Sequence, residues 1–152
     1  MIHIIISRTD IDHVTSKNNA SYSILFEAIN IAIHYKDLTT SNNRREVLAL
    51  LCKFIGVKEP NIRYLALEAL TRFQGTTIVD FIIKEYYKVV FISLRDSDIS
   101  IRKRALEVLF TLCNKEYSTQ IINELVLYLQ EKDHSLKEEL VLKIALLAEK
   151  FA

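Results

Sequence analysis

Twelve residues, EPNIRYLALEAL at Glu59–Leu70, return 39 positions later as DISIRKRALEVL at Asp98–Leu109. At that offset Ile62 falls on Ile101, Arg63 on Arg102, Ala66 on Ala105, Leu67 on Leu106, Glu68 on Glu107 and Leu70 on Leu109. A weaker third copy, HSLKEELVLKIA, comes 35 positions further on and sets Leu136 on Ile101, Lys137 on Arg102, Leu140 on Ala105, Val141 on Leu106 and Ile144 on Leu109. Apolar residues spaced three and four apart mark each copy as a helix. A period of this length holds two helices and two short turns, and such a pair cannot bury its apolar face alone. Neighbouring pairs must therefore cover one another in a stack.

The rest of the composition agrees. Half of the 152 residues are hydrophobic, enough for a sizeable core. Two glycines and one proline leave little material for hairpins, phosphate-binding loops or dinucleotide-binding turns. The expectation is an all-α chain, an α-solenoid segment of HEAT- or armadillo-like helical pairs with about seven helices. Its organisation is expected as a ragged N-terminal element and loop over residues 1–19, then the solenoid over 20–152.

Ser21 is a candidate cap for a first helix with Ile24, Leu25, Ala28, Ile31, Ala32 and Tyr35 inward. NRREVLALLCKFIG follows, with Val47, Leu48, Leu51, Phe54 and Ile55 on one stripe and Gly56 as its stop. Pro60 suits a first helical turn, where its missing N–H has no intrahelical partner to lose. The helix Asn61–Phe73 is expected to bury Ile62, Leu65, Ala66, Ala69, Leu70 and Phe73, with Gly75 closing it. Further helices are expected over Thr77–Leu94, Ile99–Cys113 and Ser118–Gln130. Asp96 or Asp98 would cap the second of these. The last helix runs to the chain end, and Ser135 with Glu138 three residues on forms a capping-box signal.

Ala66 and Ala105 are small where helices cross closely. Arg63 and Arg102 sit in the first turn of their helices, where the macrodipole does not favour a cation. A hydrogen-bond or ion-pair ladder along the loops would hold them there, with Asp96, Asp98 or Glu59 as candidate partners. Arg63, Arg102, Lys103 and Arg104 are also the candidates for direct contact with a partner or a phosphate.

Other chemistry finds little purchase. The four histidines, at 3, 13, 34 and 134, have no metal-binding spacing, and no C-x-x-C occurs. RDSDIS lacks the glycine and terminal glutamate of a calcium loop and reads as a turn plus cap. No nucleophile elbow is present. Neither an enzyme nor any cofactor, metal or small-molecule substrate is expected. The net charge of +1 and the lack of a basic, aromatic-interleaved stripe argue against nucleic acid. Cys52 and Cys113 read as buried reduced thiols, which suits a cytosolic protein. No apolar run reaches the ~20 residues that span a bilayer.

SILFEAINIAIHY, NIRYLALEAL, SIRKRALEVLFTLCN and HSLKEELVLKIALLAEKFA together resemble successive helices in the trunk of the large adaptin subunits of clathrin adaptor complexes. The last, with its basic-Glu-Glu start and LAEKFA end, is most similar to the alpha-adaptins of the plasma-membrane complex. The resemblance is collinear over Ala20–Ala152, whereas Met1–Lys17 matches no motif of the family. It implies a non-catalytic, mid-trunk scaffold segment acting in endocytic coat assembly and intracellular protein transport. The implied partners are the small, medium and second large adaptor chains, with the clathrin coat and membrane engaged indirectly. The implied location is cytoplasmic, peripheral to the membrane at coated pits. The alternative is an independent helical-repeat module that binds a peptide or an anionic phosphoinositide membrane through Arg102, Lys103 and Arg104.

Overall fold

A computed structural model describes residues 19–34, 41–73, 76–131 and 135–152. The described residues form seven helices: α1 (Asn19–His34), α2 (Ser41–Phe54), α3 (Pro60–Arg72), α4 (Thr76–Ser93), α5 (Ile99–Leu112), α6 (Ser118–Leu129) and α7 (Lys137–Phe151). The expectation of an all-α helical-repeat chain holds. The element and loop expected over residues 1–19 lie outside the described residues except for Asn19, as do Tyr35, Gly75, His3, His13 and His134. The chain divides into two compact units, residues 1–78 and 79–152.

In the first unit α2 packs on α3, and α1 touches both. Val47, Leu48, Leu51, Phe54 and Ile55 of the α2 segment are all buried, as their spacing predicts. Phe54 lies at the centre of an aromatic cluster: Tyr22 meets it edge-on at 5.8 Å, and Phe26 at 5.7 Å. The stripe predicted for α1 is partly wrong. Leu25 and Ala28 are buried, but Ile24 and Ile31 are exposed, and Tyr22, Ile29 and Ile33 take the inner positions. The sequence of α1 is apolar on nearly every side, so three-and-four spacing does not single out one face. Ser21 lies inside the helix, which begins at Asn19 rather than after a Ser21 cap.

Pro60 occupies the first position of α3 and Glu59 precedes it in extended conformation (φ −72°, ψ 116°). This is what a residue before proline is driven to adopt. Ile62, Ala66, Ala69, Leu70 and Phe73 are buried, but Leu65 is 39% exposed and Leu67 fully buried in its stead. At 100° per residue Leu65 falls just beyond one edge of the buried arc, which is skewed toward Leu67. Gly56 follows α2 without a left-handed φ; its N–H donates to the Lys53 carbonyl at 3.0 Å.

In the second unit α6 packs on α7, and α5 also contacts α7. Ile101, Ala105, Leu106, Val108, Leu109 and Leu112 form the buried face of α5. Lys143 of α7 lies 4.5 Å from the centre of the Phe110 ring of α5, a cation–π contact. Asp98 is the N-cap of α5, accepting from the Ser100 N–H at 2.8 Å, while Asp96 accepts from the Asp98 N–H at 3.0 Å. RDSDIS is therefore a turn plus cap. α7 starts after Leu136, so Ser135 stands one residue ahead of the N-cap position predicted for it. Its hydroxyl accepts from Arg102.

The three helix ends that precede α3, α5 and α7 share one hydrogen-bond pattern. Gly56 and Val57 donate to the carbonyls of Lys53 and Phe54; Arg95 and Asp96 to those of Ile92 and Ser93; Gln130 and Glu131 to those of Leu127 and Tyr128. Each N–H reaches back three residues, a 3₁₀-type tightening that satisfies carbonyls left over at a helix end. The repeat seen in the sequence is thus a repeat of turn geometry as well as of apolar spacing.

Candidate functional site

Arg63 reaches back from α3 and donates through Nη1 to the carbonyls of Val57 at 3.0 Å and Lys58 at 2.6 Å. Arg102 does the same from α5 to the carbonyls of Asp96 at 2.7 Å and Ser97 at 3.2 Å. The acceptors, like the arginines, are 39 positions apart. A ladder along the loops was expected with carboxylate partners, whereas these bonds run to main-chain oxygens. The physical reason is local: each turn brings two consecutive main-chain carbonyls within reach of the guanidinium, and hydrogen bonds from a charged donor are strong. These bonds offset the unfavourable position of a cation at the start of its own helix.

Two further bonds extend this arrangement within the second unit. Arg102 Nη2 donates to the Ser135 hydroxyl at 3.1 Å. Arg95 forms an ion pair with Glu131, its Nε lying 2.9 Å from a carboxylate oxygen. Sequence reasoning missed Arg95 and Glu131, and read Ser135 only as a helix cap. The available signal was positional, since Arg95–Asp96 and Gln130–Glu131 fall on each other at the 35-residue offset.

The remaining candidates do not converge. Arg104 pairs with Glu107 at 2.6 Å one turn along the same helix, and Lys103 is exposed. Successive helical positions are ~100° apart, which spreads Arg102, Lys103 and Arg104 around α5 instead of aiming them at one point. Among the described residues no group of three or more His, Cys, Asp and Glu could hold a metal ion. Cys52 and Cys113 are free and buried. Burial pushes the Cys52 thiol up to about 12, so it carries negligible thiolate at neutral pH. Burial also raises Cys113, against an opposing pull from Lys150. No helix among the described residues is long and apolar enough to cross a membrane.

The geometry is that of a helical-repeat framework whose two recurring arginines, Arg63 and Arg102, are engaged in its own turns. Sequence comparison identifies the framework: the model of the adaptin N-terminal region matches residues 7–152. The chain belongs to the adaptin N-terminal region family. The match begins ahead of Ala20, so the relationship reaches into the segment Met1–Lys17, where motif reading found none. AP-2 complex subunits alpha-1 and alpha-2 of Arabidopsis thaliana are each 45% identical to it over 148 residues, covering 97% of this chain and 14% of the relative. AP-2 complex subunit alpha-2 of Dictyostelium discoideum is 47% identical over 140 residues, 91% of this chain and 14% of its own length. AP-1 complex subunit gamma-1 of Arabidopsis thaliana matches at 34% over 137 residues. These three alpha subunits stand above that gamma subunit, in agreement with the alpha-like features of α7, while AP-2 complex subunit alpha of Schizosaccharomyces pombe, 34% identical over 134 residues, stands level with it. The chain spans 14% of the length of the Arabidopsis and Dictyostelium alpha relatives.

Proposed function

We propose that this chain is part of the non-catalytic helical-repeat scaffold of a clathrin adaptor large subunit, of the alpha type, acting in endocytic coat assembly and intracellular protein transport. The observation that carries this reading is the identity of 45% to AP-2 alpha subunits along 97% of the chain. The fate of the arginines supports it. Arg63 and Arg102 hold turns together, and Arg104 is paired along its helix, as suits residues that maintain a framework. Its partners would be the small, medium and second large adaptor chains, which in turn bring it to clathrin and to the cytoplasmic face of coated pits. No catalytic step is assigned to it.

Affinity purification of the tagged chain from its own cells tests this directly. Small and medium adaptor chains should co-purify in stoichiometric amounts and dissociate together at high salt. Recovery of the chain without any adaptor subunit would overturn the proposal. In parallel, sedimentation with liposomes containing phosphoinositide should bring down little of the isolated chain. Strong binding that is lost on reversing the charge of Lys103 would point instead to a module that reads the membrane itself.

A further inference from the structure

Ser135 is exposed and lies in the turn ahead of α7, one residue before its N-cap Leu136. Three observations converge on its hydroxyl. Arg102 is already fixed by two turn carbonyls through Nη1 and holds Nη2 3.1 Å from the Ser135 oxygen. The hydroxyl stands one residue ahead of the N-cap, beside the first turn of α7, and the N-terminal end of a helix favours an anion. Glu138 and Glu139 follow at the third and fourth positions after the serine, the spacing that acid-directed serine kinases read.

We propose that Ser135 is a phosphorylation site whose phosphate is received by Arg102 and by the start of α7. In the modification, the Ser135 oxygen attacks the γ-phosphorus of a nucleoside triphosphate. The new O–P bond forms as the bond to the β-phosphate oxygen breaks, the hydroxyl proton passes to the kinase's base, and the nucleoside diphosphate leaves. One weak acceptor becomes three strong ones carrying about −1.5 to −2 charges at neutral pH. Arg102 needs no reordering to meet them, since its guanidinium is held in place beforehand. The neighbouring carboxylates work against the phosphate, but Glu139 is drawn toward Lys143, whose ammonium lies 4.0 Å away. The modification would therefore tighten the link between the turn before α5 and the turn before α7. This inference concerns regulation of the repeat and does not depend on which adaptor chains bind it.

The test is to treat the full chain with an acid-directed serine kinase and magnesium ATP. One phosphate should appear and map to Ser135 by fragmentation mass spectrometry. None should appear at that position in Ser135→Ala, and incorporation should slow in a Glu138→Gln, Glu139→Gln double variant. The midpoint of thermal unfolding should rise by roughly 2–4 °C on phosphorylation. The phosphorus-31 titration midpoint should fall about one pH unit below that of the phosphopeptide of residues 130–141, because an adjacent guanidinium favours the dianion. The sign follows: the added stability is present above the peptide's value near ~6 and is lost as pH falls through the lowered one. Failure to phosphorylate Ser135 would overturn the proposal, and so would a phosphate there that titrates as in the peptide or lowers the unfolding midpoint. The titration needs no Arg102 variant, which would also remove the turn bonds and obscure the result.

Discussion

The turn before α3 and the turn before α5 reach the same geometry by different means. In both, the residue before the helix is extended: Glu59 at φ −72°, ψ 116° and Asp98 at φ −88°, ψ 122°. Glu59 is placed there by Pro60, with no side-chain cap bond, while Asp98 is held by accepting from the Ser100 N–H. What the two turns share is the arginine on the preceding carbonyls, at 3.0 and 2.6 Å in one and 2.7 and 3.2 Å in the other. The way a helix begins is therefore interchangeable between repeats, and the clamp is the part kept. In the third copy Lys137 replaces the arginine and stands at the first helical position, exposed. There the link to the preceding repeat comes from Arg102 and Arg95 on the other side.

The clamp gives the largest effect by which this comparison can be broken. Arg102→Gln should cost about 2–3 kcal/mol and Arg63→Gln about 1–2 kcal/mol, since hydrogen bonds from a charged donor contribute ~1.5–3 kcal/mol and both groups are partly exposed. Arg102 is placed higher because its second nitrogen also reaches Ser135. Urea unfolding of the two variants measures the difference. Equal losses would mean that the Ser135 bond contributes nothing to stability, and no loss at either site would reduce the clamp to a surface contact.

The arginines also show where sequence reading reaches its limit. Their recurrence and their unfavourable place at a helix start were legible, and both pointed to a ladder along the loops. The partners were not, because a main-chain carbonyl has no letter of its own, so reasoning from side chains turned to the nearest carboxylates. Ser135 was legible only as a cap for a related reason: the bond it accepts from Arg102 of α5 cannot be seen in the local sequence of α7. Core positions were read well where apolar residues make one narrow stripe, as in α2. They were misread where the helix is apolar around most of its circumference, as with Ile24 and Ile31. The family relationship was legible in the order and spacing of whole helices, which no single position carries.

The helix starts provide a smaller and cleaner contrast. Asp98→Ala removes the bond to the Ser100 N–H and should cost about 1 kcal/mol, the usual loss on deleting an N-cap. Glu59→Ala should stay within about 0.5 kcal/mol of the parent, because Glu59 makes no cap bond and Pro60 already fixes the chain. Paired denaturant curves would show it, and a loss at Glu59 equal to that at Asp98 would mean that the two turns are built alike after all.

The smallest effect lies in the turns that follow α2, α4 and α6, where Gly56 stands in the first and Arg95 and Gln130 at the matching places in the other two. Gln130 holds an ordinary helical conformation there (φ −78°, ψ −12°), and Gly56 has no left-handed φ that would require glycine. A methyl group at Gly56 would lie 3.4 Å from the Lys53 carbonyl oxygen, an ordinary contact, on an exposed site. The chief consequence of Gly56→Ala then falls on the unfolded chain, which has fewer conformations to lose. Stability should rise by about 0.4–1 kcal/mol. A fall would show that the turn before α3 uses the freedom of its glycine, and that its likeness to the other two ends at the hydrogen bonds.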